Sequence, residues 1–144
     1  MSKINVSKVI AGGILAGLVL AAFDFVTQNY LLADQWQLVA QRHNVDPALM
    51  GGTPALVLMM ATDLVIGFVI TLTYAGIRPR FGAGPATASI AAFLIFLPCA
   101  LMIASFGGWL VHWDLFFRQA TVMLVAFIAA GWAGGWIYGE EETQ

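Results

Sequence analysis

The stretch 9–32, VIAGGILAGLVLAAFDFVTQNYLL, constrains this chain more than any other. A bilayer crossing needs ~20 predominantly apolar residues, and this run supplies them. Inside lipid every backbone N–H and C=O must be paired within the protein, so such a run crosses as a helix. Three further runs have the same character, at 54–77, 86–106 and 115–138. All four are continuous rather than alternating, which excludes a membrane β-barrel.

Composition agrees. Of the 144 residues, 60% are hydrophobic and 10% charged, where a soluble domain carries about 25% charged residues. Too little polar surface is left to cover a water-soluble fold. Four spans with short connectors use the whole chain, 1–144, as a single transmembrane domain. The net charge of -2 and the lack of a basic patch exclude nucleic acid as a partner. Cys99 is the one cysteine, so neither an internal disulfide nor a cysteine-pair metal site is expected. Lys3 and Lys8 precede the first run, which is longer than the ~7–15 residues of a signal-peptide core. It reads as an uncleaved signal anchor.

The connectors carry their own signals. Segment 35–43 places Trp36, Val39, Ala40 and His43 at helical spacing behind a capping Asp34. It is too short to span and reads as an amphipathic helix in the headgroup region or folded over the bundle mouth. Asp46-Pro47 and Gly51-Gly52-Thr53-Pro54 mark a turn and a helix start. Arg78-Pro79-Arg80-Phe81-Gly82 reads as a stop. Pro98 predicts a kink in the third span. Gly107-Gly108 ends that span, Asp114 caps the fourth, and the acidic tail 140–144 follows. Lys3, Lys8, Arg78 and Arg80 fall on one side of the membrane, Arg42 and Arg118 on the other. The excess of basic residues places both termini in the cytoplasm. Trp36, Trp109 and Trp113 then belt the outer interface, and Trp132, Trp136 and Tyr138 the inner one.

The polar residues inside the spans carry the chemistry. Asp24 lies eight residues before the outer end of span one, and Asp63 about eight after the outer start of span two. At ~1.5 Å per residue both sit roughly 12 Å deep. Helical phase puts Asp24 and Gln28 on the Gly13–Gly17–Ala21 stripe. On span two Asp63, Gly67 and Tyr74 share a stripe with Met60, and Thr71 lies at its edge. A carboxylate near the bilayer centre costs about 2.5–3.5 kcal/mol or more, so it binds a proton, pairs, or sits in protein or water. The functional expectation is an acidic site that shares a proton or binds a cation. The structural expectation is a helix-gluing hydrogen bond, or an ion pair with Arg118.

Gly131, Gly135 and Gly139 repeat at intervals of four, as do Gly13 and Gly17. Small residues at this spacing let helix backbones approach closely. The expectation is packing of span one on span four, with an oligomer interface as the alternative. Trp132 and Trp136 are expected on the opposite side of span four from these glycines. His43 and His112, with Asp114, offer an alternative as ligands of a metal or porphyrin-type cofactor, but they match no metal or haem motif, so none is predicted. Ser105 lacks a nucleophile elbow, and no enzymatic activity is expected.

Lys8-Val-Ile-Ala-Gly-Gly-Ile-Leu-Ala-Gly-Leu-Val followed by Asp24-Phe-Val resembles the opening of small bacterial four-span inner-membrane proteins. The resemblance covers span one and implies a membrane topology and no activity.

The expected architecture is all-α: an antiparallel four-transmembrane-helix bundle with a short outer amphipathic helix. Its expected role is that of a non-enzymatic accessory or scaffold subunit in the inner membrane. It would self-associate or pack against a larger membrane complex. The alternative is a small proton- or cation-coupled transporter using Asp24 and Asp63.

Overall fold

The computed structural model describes residues 4–46, 49, 52–107 and 111–139. Lys3, Pro47, Gly51, Gly108, Trp109 and the acidic tail, all used in the sequence reading, lie outside the described residues.

Helix α1 is Val6–Val26. Asn5 caps it, its Oδ1 accepting from the Lys8 backbone N–H at 3.2 Å and from Ser7 Oγ at 2.8 Å. The span does not end as an α-helix. Thr27–Leu31 forms a π-turn, closed by the Leu32 N–H donating to Thr27 O at 2.8 Å. Helix α2 is Ala33–Arg42, α3 is Thr53–Phe81, α4 is Pro85–Ser105 and α5 is Trp113–Tyr138. Among the described residues there are five α-helices and no strand. Four of them, α1 taken with its π-turn, α3, α4 and α5, are long and apolar enough to cross a membrane. The chain is a multi-pass membrane protein on that ground.

The ends differ from the sequence reading in instructive ways. Asp34 and Asp114 do not cap their helices; both lie in the first turn, where a carboxylate favours the positive end of the helix dipole. The caps are Leu32 and His112, neither with a side-chain capping bond. Helix α3 runs through Pro79 and stops at Gly82, whose φ of 84° turns the chain. The ring of Pro79 forfeits one hydrogen bond without ending the helix there. Helix α4 is continuous through Pro98.

Helix α1 packs on α3 and α5, α4 packs on the same two, and α3 touches α5 between them. Lipid tails are as apolar as leucine, so close packing rather than water exclusion holds such helices together. Two adjacent faces of α1 serve this. A Cβ built on Gly13 would lie 2.7 Å from Phe68 Cα, and one on Gly17 would lie 2.6 Å from Leu64 Cα. These glycines therefore pack on α3, not on the fourth span. The α1–α5 contact uses the neighbouring face instead: a Cβ on Gly12 would lie 2.7 Å from Gly134 O. Gly131 packs on α4, with Ala88 O and Ala92 Cβ at 2.8 and 2.9 Å from its built Cβ, and Gly135 meets Ala88 and Tyr74. Gly139 lies just past α5 with φ 77°, beside Lys8. Span one does pack on span four as expected, but α1 is small on two sides, and it is Gly12 with Ala16, not the Gly13–Gly17 stripe, that meets Gly134.

Three buried clusters fill the bundle. Leu20, Ile70, Phe96, Phe127 and the alanines between them form the centre. Val9, Tyr74, Ala88, Ala91 and Tyr138 form one end. Leu32, Val111 and Leu115 form the other, with Trp36 and Val39 of α2 packed against them. Helix α2 thus lies over one mouth of the bundle.

Candidate functional site: two carboxylates between the first and second spans

Asp63 is only 5% exposed, and its Oδ2 is buried with no hydrogen-bond partner. It sits one turn before Gly67, the residue that lies in the backbone of Gly13 and Gly17. Asp24 is half-buried. It falls seven positions beyond Gly17, within about 20° of the same face of α1. Both carboxylates therefore belong to the α1–α3 interface, on the same side of the glycine crossing. Among the described residues no cationic side chain is placed against either.

The two acids are not at equal height. Gly13 faces Phe68 and Gly17 faces Leu64, so residue 18 of α1 is level with Asp63. Asp24 is six positions further on (24 less 18), about 9 Å along the axis. Side chains on a helix lean toward its N-terminus. Numbering rises on α1 as it falls on α3 across this contact, so the two side chains lean toward one another. That lean closes part of the offset.

The other expected members of the site divide. Gln28 is half-buried and lies in the π-turn beyond Asp24. A single π-turn inside a span widens the helix, and such turns are frequent at functional positions. Buried Thr27, which the sequence reading passed over, donates from Oγ1 to Phe23 O at 2.7 Å. Thr71 is fully buried but occupied elsewhere. Its Oγ1 donates to Gly67 O at 3.0 Å, and it fills the space where α1, α3 and α5 meet at Gly12 and Gly134. Tyr74, eleven residues from Asp63, is ~16 Å away along α3. Its hydroxyl accepts from the Gly84 backbone N–H at 3.2 Å, and its ring meets Tyr138 edge-on. Arg118 pairs with Asp114 on its own helix, Nε to Oδ2 2.9 Å, with both side chains more than half exposed. It is not the counter-ion of the buried acids. The site contracts to Asp24 and Asp63; Gln28 is level with residue 53 of α3, ten positions or about 15 Å along the axis from Asp63.

Comparison with protein-family models, with curated proteins and with solved structures gives no match.

Beyond the acids, Trp36 Nε1 and Gln119 Oε1 are also buried without partners. Among the described residues no group of three His, Cys, Asp or Glu is placed to hold a metal ion. His112 is exposed at the start of α5. Tyr138 is buried rather than part of an interfacial belt, and the Arg78 guanidinium lies 5.7 Å over its ring. Trp132 and Trp136 are exposed, yet they are not opposite the glycines. Trp132 Nε1 donates to Ser89 Oγ at 2.9 Å, and both indoles line the groove that Gly135 also lines. Residues 131 and 132 differ by only ~100° around the helix.

Proposed function

We propose that this chain is a small proton- or cation-coupled transporter, with Asp24 and Asp63 as its ion-binding pair. The observation that carries the proposal is the unpartnered Oδ2 of Asp63, a carboxyl that is 5% exposed inside a membrane-spanning helix. An ionisable side chain inside a span marks an ion pathway by default. Two carboxyl groups with no cation of their own are completed by a shared proton or by a bound monovalent cation. The arrangement is an antiparallel four-helix bundle in a bacterial inner membrane, with the acids toward the outer face and α2 over that mouth. Both termini lie in the cytoplasm, as the basic-residue bias supports.

Binding is tested in detergent by thermal unfolding against pH and against sodium or potassium. A ligand bound only by the folded state stabilises it by about 2.7 kcal/mol at one hundred times Kd. The wild-type midpoint should move with one of these ions, and Asp63→Asn should remove the dependence. An identical ion response in Asp63→Asn removes the proposal.

A second reading is an accessory subunit that self-associates or packs on a larger complex. It is favoured by the exposed aromatic face at Trp132 and Trp136, the latter 78% exposed. It has lost the glycine stripes, which are occupied inside the chain. Migration as a lone monomer in mild detergent, with no partner co-purifying, removes it.

A further inference from the structure

Helix α2 meets the bundle where Leu32, Val111 and Leu115 cluster, with Trp36 and Val39 packed on them. One turn deeper the interior becomes polar. Leu20 clusters with Ala126, and Leu32 with Leu115, so numbers rise on α1 as they fall on α5. Thr27 lies one π-turn inward from Leu32, whose N–H donates to Thr27 O at 2.8 Å. Gln119 lies one turn inward from Leu115, on the stripe that Leu115 shares with buried Ala126 and Ala130. Both therefore stand about 5 Å below the contact that Trp36 covers. Asp24 follows three positions further in along α1, about 4–5 Å.

The polar atoms at this level have unused capacity. Trp36 Nε1 and Gln119 Oε1 are buried with no hydrogen-bond partner. Thr27 is 3% exposed, and its hydroxyl donates to Phe23 O while keeping lone pairs to accept with. A buried donor and a buried acceptor are costly to leave unpaired. The set is one donor, the indole N–H, and two acceptors. Water is its complement, since it accepts one bond and donates two. A hydroxyl has only one proton to give, and a bare cation would face the positive end of the indole N–H. Three polar partners are also what a buried water usually has.

We propose that one water, accepting from Trp36 Nε1 and donating to Gln119 Oε1 and Thr27 Oγ1, latches α2 over the mouth that leads to Asp24. Helix α2 is then a lid, closed when the water is bound and open when Trp36 lifts away. The lid's role in ion entry rests on the transport reading; the latch itself does not.

The test is hydrogen exchange along α2 in the detergent-purified full chain. Gln119→Leu and Thr27→Val are close in size to the residues they replace and remove one acceptor each. Each should quicken exchange of the α2 amides at least fivefold, with α3 exchange within twofold of wild type. Trp36→Phe should do the same. The Trp36→Phe/Gln119→Leu double variant should be no faster than the quicker single variant, because one water serves both. In chains carrying Cys99→Ser, Asp24→Cys should react with a membrane-impermeant maleimide at least fivefold faster once Gln119→Leu is added. Unchanged α2 exchange in Gln119→Leu and Thr27→Val, or multiplied effects in the double variant, overturns the latch. Unchanged maleimide labelling overturns the lid. Neither readout needs ion flux, so either failure leaves the ion-binding reading of Asp24 and Asp63 standing on its own test.

Discussion

Gly67 of α3 lies directly against the backbone of Gly17 of α1. A Cβ built on Gly67 would collide with Gly17 N and come within 2.7 Å of Gly17 Cα and 2.6 Å of Gly13 O. No side chain stands between the two helices at this point, so nothing flexible can yield. Gly67→Ala must push the helices apart. Overpacking of this kind costs about 1–3 kcal/mol, and thermal unfolding in detergent should show a matching loss. Gly76 lies in the same helix with nothing near its built Cβ. Gly76→Ala should be neutral or should gain up to ~1 kcal/mol, the ordinary helix preference for alanine.

Gly134 and Thr71 make a second close pair. A Cβ on Gly134 would overlap Thr71 Oγ1, while its other neighbours, Gly12 O and Ala16 Cβ, stay at 3.2 and 3.3 Å. Gly134→Ala should therefore destabilise, and Thr71→Ala should relieve part of the loss by removing the colliding hydroxyl. The double-mutant cycle should return a favourable coupling of about 0.5–3 kcal/mol. Additive losses would place the two residues out of contact.

The Tyr74 hydroxyl ties α3 to the turn that starts α4, through the Gly84 N–H at 3.2 Å. Tyr74→Phe keeps the ring and its edge contact with Tyr138 but strands that N–H. The expected cost is about 0.5–1.5 kcal/mol. Hydrogen exchange at Gly84 should quicken, and unchanged exchange would mean the bond contributes nothing.

Arg118 and Asp114 form an exposed pair four residues apart. Such pairs contribute about 0.3–0.5 kcal/mol. Arg118→Gln should leave the unfolding midpoint nearly unchanged. A loss of several kcal/mol would make Arg118 a partner of the buried acids after all.

These relationships show what the residue order carried and what it did not. The four spans were legible because each is a long apolar run that lipid forces into a helix. Helical phase ties Asp24 to the face of Gly13 and Gly17, but phase carries no height along the axis. Counting eight residues inward from the end of each span assumes that span ends are level. The register is set instead by the glycine crossing, where Gly17 meets Leu64, and it offsets Asp24 from Asp63 by six positions. Thr71 and Tyr74 share a face with Asp63, but 3.6-residue periodicity says nothing about distance along the axis. Thr71 went to the glycine junction and Tyr74 to the turn at Gly84. The contact of the first span with the fourth was legible, but its residues were not, because Gly12 and Ala16 form a second small face beside the more regular Gly13–Gly17 repeat. The π-turn at Thr27–Leu31 left no signal beyond the polar Thr27-Gln28-Asn29 run at the end of the span.

The transport reading rests on Asp24 and Asp63 together, and ion uptake into sealed vesicles reconstituted with the purified chain tests it most directly. Wild type and Arg118→Gln should both take up protons or alkali cations, and the Asp24→Asn/Asp63→Asn double variant should fall to the level of empty vesicles. Uptake by the double variant equal to wild type, or none by the wild type itself, would contradict it.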